Sequence, residues 1–291
     1  MRRLTLVPVL ALLAAGLAAC SAGNVGAAPS SASSASAAPA DCTPAAMQTY
    51  TSGMLTIGTD TPAYPPYFEN NDPTNGQGLE SALAYAVADK LGFAKTAVKW
   101  TVVPFNSSYA PGPKKFDFDI NQISITPDRA KVVDFSEGYY TVNQAVVTLK
   151  TSKIANATSL AELQSAKLGA QVGTTSLSFI TDYVKPGAQP YVYNDTNDAK
   201  KALATGQIDG IVVDLPTAYY ITAAEIDNSK IVGQFPAQEG PTSEQFGMLF
   251  AKGSPLVKCI DWALASLKSA GTLKTIQDQW LAGADAPYFK Q

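Results

Sequence analysis

Two successive runs of alternating strand and helix signals constrain this chain of 291 residues more than any other feature. The first run opens with an apolar strand at residues 54–59 and passes through an Ala-rich helix at 78–91 that Gly92 closes. It continues with strands at 98–103 and 116–125 and a helix starting at Thr126. The second run repeats the scheme, with a strand at 167–172, a helix at 174–183, a short strand at 191–193, a helix at 198–205 and a buried strand at 208–213. Short apolar or alternating segments bounded by turn residues read as strands, and longer segments with caps and glycine stops read as helices. A β-α-β-α order favours an open, mainly parallel sheet, because parallel neighbours need a crossover that a helix supplies. Two such sheets in series predict an α/β protein of two lobes with a cleft between them. Ligands of open α/β sheets sit beyond the carboxyl ends of the strands, so candidate residues are sought there.

The stretch 116–140, FDFDINQISITPDRAKVVDFSEGYY, holds the strongest candidate. Phe116, Phe118 and Ile120 alternate with Asp117, Asp119 and Asn121, as in a strand with one buried face. The phase breaks after Gln122, where the strand bends or ends. Thr126 suits a helix N-cap, Pro127 the first helical position, and Asp128 complements the helix dipole. Arg129 on that first turn adds a planar two-donor fork to the free backbone N–H groups, which suits a carboxylate. A solvated surface arginine is the alternative.

Three further stretches point the same way. In 171–178, QVGTTSLS, the chain leaves a strand through Gly173, and Thr174 and Thr175 can cap the next helix with N–H groups open to an anion. Ile211, Val212 and Val213 form a buried strand that ends in Asp214, which either pairs with an ammonium group or caps the helix at 215–220. The loop 59–69, TDTPAYPPYFE, is stiff and aromatic, and Tyr64 in it can cover part of a ligand or simply pack.

Residues 1–19 have the layout of a secretory signal, with Arg2 and Arg3 ahead of an apolar run too short to span a bilayer. Leu17-Ala18-Ala19-Cys20 resembles a bacterial lipobox, in which the cysteine is lipidated and becomes the first mature residue. Residues 20–40 are then the lipidated Cys20 and an uncharged tether rich in Ser and Ala, a composition that cannot bury a core. Cleavage before Cys20 leaves 19 basic and 24 acidic residues, and no basic patch marks a nucleic-acid partner. The chain contains no histidine, which removes His triads, His bases and His metal ligands. Cys42 and Cys259 remain; in an exported chain an even number of cysteines suggests a disulfide, with two buried free thiols as the other possibility.

Taken together, residues 42–291 resemble the polar-amino-acid family of extracellular solute-binding proteins of bacterial ABC importers. The resemblance rests on LTIGTD, Tyr64-Pro65-Pro66, Gly78-Leu79-Glu80, SITPDR, VVDFSEGYY, VGTTS, IDGIVVDLPTAYY and SAGTLKTIQDQWL. It implies a type II periplasmic-binding-protein fold, with lobe one from 41–147 plus 248–291 and lobe two from 148–247. Hinge strands are expected near 144–150 and 245–252. It also implies that Arg129 grips a ligand carboxylate with the Thr126 N–H and Thr175, and that Asp214 holds the ammonium with Ser124 and the Gln122 carbonyl. Tyr64 packs on the ligand side chain. A free L-amino acid, a permease and a membrane reached through the lipid anchor are the implied partners of a monomeric protein that is no enzyme and needs no cofactor or metal. Two positions depart from the pattern: Gln122 stands where a small residue is usual, and Ala82 where a second acid is usual. Asn106, Asn143 and Gln245 are further candidates for side-chain selectivity. The alternative function is a dehydratase on the same fold, for which Asp60, Glu69 and Glu137 are the available acids.

Overall fold

The computed structural model describes residues 38–235, 243–281 and 286–290. The signal sequence, Cys20 and most of the tether lie outside the described residues. In chain order the first strands are β1 (Leu55–Thr59), β2 (Val98–Val102), β3 (Phe118–Asp119), β4 (Val133–Phe135) and the two-residue β5 (Tyr140–Thr141). They are followed by β6 (Gln144–Leu149), β7 (Leu168–Gln171), β8 (Tyr191–Tyr193), β9 (Gly210–Asp214) and β10 (Ser229–Gln234), and then by β11 (Gln245–Phe246) and β12 (Leu249–Ala251). Among the described residues these make one sheet in the order β2-β1-β3-β12-β4 and a second in the order β10-β6-β9-β7-β8.

Both sheets are mixed. β1 pairs parallel with β2 and β3, and β7 pairs parallel with β8 and β9, as the repeated β-α order requires. β12 joins the first sheet antiparallel, and β6 joins the second antiparallel, because each enters its sheet directly from a lobe crossing rather than through a helix. The crossing itself is the small ladder in which β5 pairs with β11. It precedes the expected 144–150 hinge strand, whose residues Gln144–Leu149 form an interior strand of the second sheet.

Packing follows the side-chain alternation. In the second sheet Val146 and Val212 face one apolar cluster with Leu168, Ile180 and Phe235, while Ala145, Val147, Ile211 and Val213 face another with Leu203 and Ile221. In the first lobe Leu79, Leu83 and Val87, one stripe of the helix Leu79–Lys90, bury against the sheet and the helix Val257–Ser269. That helix starts at Gly78, whose φ is 93°, and a Cβ there would overlap the carbonyl of Tyr67. The close approach lets the N–H groups of Leu79 and Glu80 bond the carbonyls of Pro66 and Tyr67, which fixes the 64–67 loop at the cleft.

Cys42 and Cys259 are bonded to each other, so the segment around Cys42 is stapled to the helix Val257–Ser269. The last described residues depart from expectation. Although 248–291 is expected in lobe one, Tyr288 pairs beside Gln234 and Lys290 beside Ser159, both in the second lobe. Phe289 packs into that lobe's core against Phe235.

The expected strand 116–125 shrinks to β3. Its flanking polar side chains are used elsewhere: Asp117 accepts from the N–H groups of Tyr50 and Thr56, both at 2.6 Å. Gln122 has a φ of 48°, which ends the extended run.

Candidate functional site

One polar cavity opens between the lobes, lined by Asp60, Tyr64, Asn121, Arg129, Thr175 and Asp214 among others. Arg129 is the cation of the site. Thr126 caps the single turn Pro127–Ala130, its hydroxyl accepting from the Arg129 N–H at 3.2 Å, and this sets where the arginine side chain leaves the backbone. Arg129 as a whole is only 8% exposed. It donates through Nη1 to the Ser124 carbonyl at 2.7 Å and through Nη2 to the Gly173 carbonyl of the other lobe at 2.9 Å. The ring centroids of Phe105 and Tyr109 lie 5.4 and 4.8 Å from its central carbon and 5.7 Å from each other, so aromatic surface shields it on one side.

The facing wall comes from the second lobe. Thr174 caps the helix Thr175–Phe179, accepting from the Leu177 N–H and donating to the Gln171 carbonyl. Asp214 stands at the N-cap position of the helix Leu215–Tyr220 but makes no side-chain cap bond there. Its Oδ1 accepts instead from Gln144 Nε2 at 2.5 Å, and Gln144 in turn accepts from the Ser176 hydroxyl at 2.7 Å. Burial, and then the nearby Glu244 charge, push the Asp214 carboxyl well above the usual carboxylate range. Glu244 receives the hydroxyls of both Ser124, at 2.6 Å, and Thr175, and its other oxygen accepts from Gln144 at 3.2 Å.

Gln122 does not fill the cleft with a free amide. Its backbone N–H donates to Glu80 Oε1 at 2.6 Å and its side-chain amide to Glu80 Oε2, while the Tyr139 hydroxyl donates to the same carboxyl. Glu80 is fully buried, and desolvation raises its pKa to about 7 against those three donors. Tyr64 lines the cavity with its ring facing the Lys200 ammonium at 5.1 Å, and burial pushes its phenol up. Asp60 accepts from the Thr61 and Phe105 N–H groups, which holds its carboxylate at the cavity edge.

The sequence of residues 55–283 matches the family model described as bacterial extracellular solute-binding proteins, family 3. The chain belongs to that family. It is 27% identical over 237 residues to the L-cystine-binding protein TcyJ of Escherichia coli, covering 80% of this chain and 84% of that protein. Among solved structures, an ancestral arginine-binding protein bound to arginine is 30% identical with a TM-score of 0.66, covering 79% of this chain and 98% of that one. The ancestral amino acid-binding protein AncCDT-1, a precursor of cyclohexadienyl dehydratase, is 27% identical with a TM-score of 0.65, covering 78% of this chain and 95% of that one.

In this solute-binding protein the structure brings Arg129, Asp214, Ser124, Gln122, Tyr64, Thr174 and Thr175 to one cavity. Thr126 contributes as the cap behind Arg129. Asn106 bonds the Tyr109 hydroxyl, Asn143 donates to Gln234 and Tyr288, and Gln245 lies against Thr141 and Gly138; none of the three lines the cavity. Sequence reasoning missed Gln144, Ser176 and Glu244. The one available signal for Glu244 was an acid at the start of an expected crossing strand, one residue from Gln245.

Proposed function

We propose that this solute-binding protein captures a free, polar or charged L-amino acid between its lobes and delivers it to the permease of an ABC importer. One observation carries the reading: a single interlobe cavity offers the buried Arg129 and the partly buried Asp214 carboxyl, a cation and an acid that together complement a zwitterion. Arg129 takes the ligand carboxylate, and Asp214 takes the ammonium with Ser124 and the Gln122 carbonyl. Thr175 and the Thr126 N–H complete the set, and Tyr64 packs on the side chain. Contacts from both lobes exist together only when the cleft is closed, so ligand favours closure.

The family and its relatives support a binding role outside the cytoplasm rather than catalysis. Of the acids available to a dehydratase, Glu69 and Glu137 do not line the cavity, and Asp60 is held by two backbone N–H groups. Lipidation at Cys20 would hold the monomer at the outer face of the cell membrane, the tether leaving it free to meet the permease.

The test is a thermal-shift screen of protein unfolded and refolded to remove bound ligand, against the common L-amino acids, L-cystine and several carboxylates without an amine. A ligand at a hundred times its Kd stabilises by about 2.7 kcal/mol, which moves the midpoint by a few degrees. A response to an amino acid or a related group, lost in Arg129→Ala and Asp214→Asn, supports the reading. A response confined to a carboxylate without an amine overturns the role given to Asp214.

A further inference from the structure

Glu244 stands behind the cavity rather than in its wall, yet it controls two hydroxyls that are in the wall. Ser124 belongs to the first lobe and Thr175 to the second, and both give their hydroxyl hydrogens to Glu244 Oε1. A serine or threonine hydroxyl has one hydrogen and two lone pairs. With that hydrogen spent on a carboxylate, which can only accept, each hydroxyl offers the cavity lone pairs alone. The 3.4 Å approach of Ser124 Oγ to Thr175 Oγ1 agrees with this, since neither has a second hydrogen to shorten it.

We infer that Glu244 is a positioning residue that makes this end of the cleft selective for an ammonium group. It fixes the Ser124 and Thr175 hydroxyls as acceptors and sets an acidic side chain beside Asp214. Gln144 ties the two acids together, donating to Asp214 Oδ1 at 2.5 Å and to Glu244 Oε2 at 3.2 Å. That amide is itself oriented by the Ser176 hydroxyl on its oxygen. The Asp214 carboxyl and two oriented acceptors therefore line one end of the cavity, with Glu244 behind them. An arriving ammonium donates up to three hydrogen bonds and favours the ionised form of Asp214, whereas a ligand without the amine leaves that end unpaired. This assigns the Thr175 hydroxyl to the ammonium end, and leaves carboxylate recognition to Arg129 and backbone N–H groups.

The inference rests on the amino-acid reading and sharpens it, because it predicts how much of the affinity depends on the amine. The experiment uses the whole protein and a screen of the common L-amino acids plus L-cystine to find the tightest ligand. Calorimetric titration then compares that amino acid with its desamino carboxylate in wild type, Glu244→Gln and Glu244→Asp, with thermal midpoints recorded for all three. Glu244→Gln is expected to weaken the amino acid by about tenfold to a hundredfold, the value of one or two hydrogen bonds to a charged group. The desamino compound should bind nearly as in wild type, so preference for the amine shrinks, and Glu244→Asp should keep most of it. Equal weakening of both compounds in Glu244→Gln, or no weakening of either, overturns the role of Glu244 while leaving the amino-acid reading intact. A wild-type protein that binds no amino acid overturns both.

Discussion

Arg129 reaches across the cleft to the carbonyl of Gly173, so the side chain assigned to the ligand also fastens one lobe to the other. Gly173 has a φ of 76°, and a Cβ there would collide with Asn106 Oδ1 and the Tyr109 hydroxyl, both from the first lobe. Gly173→Ala is therefore expected to hinder closure. Ligand affinity should fall by tenfold or more, beyond the roughly 1–2 kcal/mol cost of the left-handed backbone to folding itself. Parallel titration calorimetry and thermal melts separate the two effects; unchanged affinity in Gly173→Ala argues against this contact as part of the closed state.

Removing the cation should be more damaging still. Arg129→Ala is expected to abolish detectable amino-acid binding. Arg129→Lys should lose tenfold or more, because a lysine keeps the charge but not the planar fork that spans Ser124 and Gly173. Asp214→Asn removes the ammonium partner and should weaken an amino acid far more than its desamino counterpart. Isothermal titration of all three variants checks this, and full-strength binding by Arg129→Lys would count against the two-carbonyl geometry.

The first lobe also buries acids that should make stability depend on pH. Desolvation raises Glu80 from 4.5 to about 7. Asp119, fully buried with no hydrogen bond to either oxygen among the described residues, is raised well above the ordinary range by desolvation and then by the Glu80 charge. A carboxyl with a raised folded pKa holds its proton more tightly in the folded state. Its contribution is present below the unfolded pKa and is lost as pH rises through the folded pKa. Stability should therefore decline from about pH 4.5 to 7 through Glu80, by on the order of 3 kcal/mol. Asp119 adds to the same slope from near its ordinary value of 3.8 upward. Asp119→Asn should flatten the profile, and Tyr139→Phe, which removes a donor to Glu80, should extend the decline to higher pH. Urea unfolding from pH 4 to 8 reads the slope; a profile that rises across that range would refute the account.

Reducing the Cys42–Cys259 bond, or replacing both cysteines by serine, frees a closure of 217 residues. The expected cost is about 2–5 kcal/mol, with little change in ligand affinity, because the bond lies in one lobe away from the cavity. Chemical denaturation with and without reductant measures it.

Much of the site was legible in local sequence because it depends on local structure. Thr126, Pro127 and Arg129 form a cap and first turn whose parts lie within four residues, and Thr174 and Thr175 do the same after β7. The two-lobe α/β architecture followed from the order of elements alone. Glu244 was hidden because its role depends on which face of β11 looks into the cleft. Gln245 was one of the selectivity candidates in sequence, yet side chains alternate along an extended segment, and a shift of one residue exchanges inside for outside. The Phe246 bridge to Ser124 fixes that phase, and it joins positions more than a hundred residues apart. Gln122 was similarly opaque: its amide belongs to Glu80, a partner 42 residues earlier.

The C-terminal residues give the cleft an additional mechanical property. After the helix Thr272–Trp280 packs on the first lobe, the chain returns so that 286–290 lie along β10 in the second. Two linkers allow a pair of bodies both to swing apart and to twist about each other. Here residues 286–290 add a third attachment to the second lobe, and the Tyr288 hydroxyl accepts from Asn143, just past β5, at 3.2 Å. Three attachments resist twist more than swing, so the opening motion should approach rotation about a single axis, and the seating of residues 286–290 becomes a control on how wide the mouth opens.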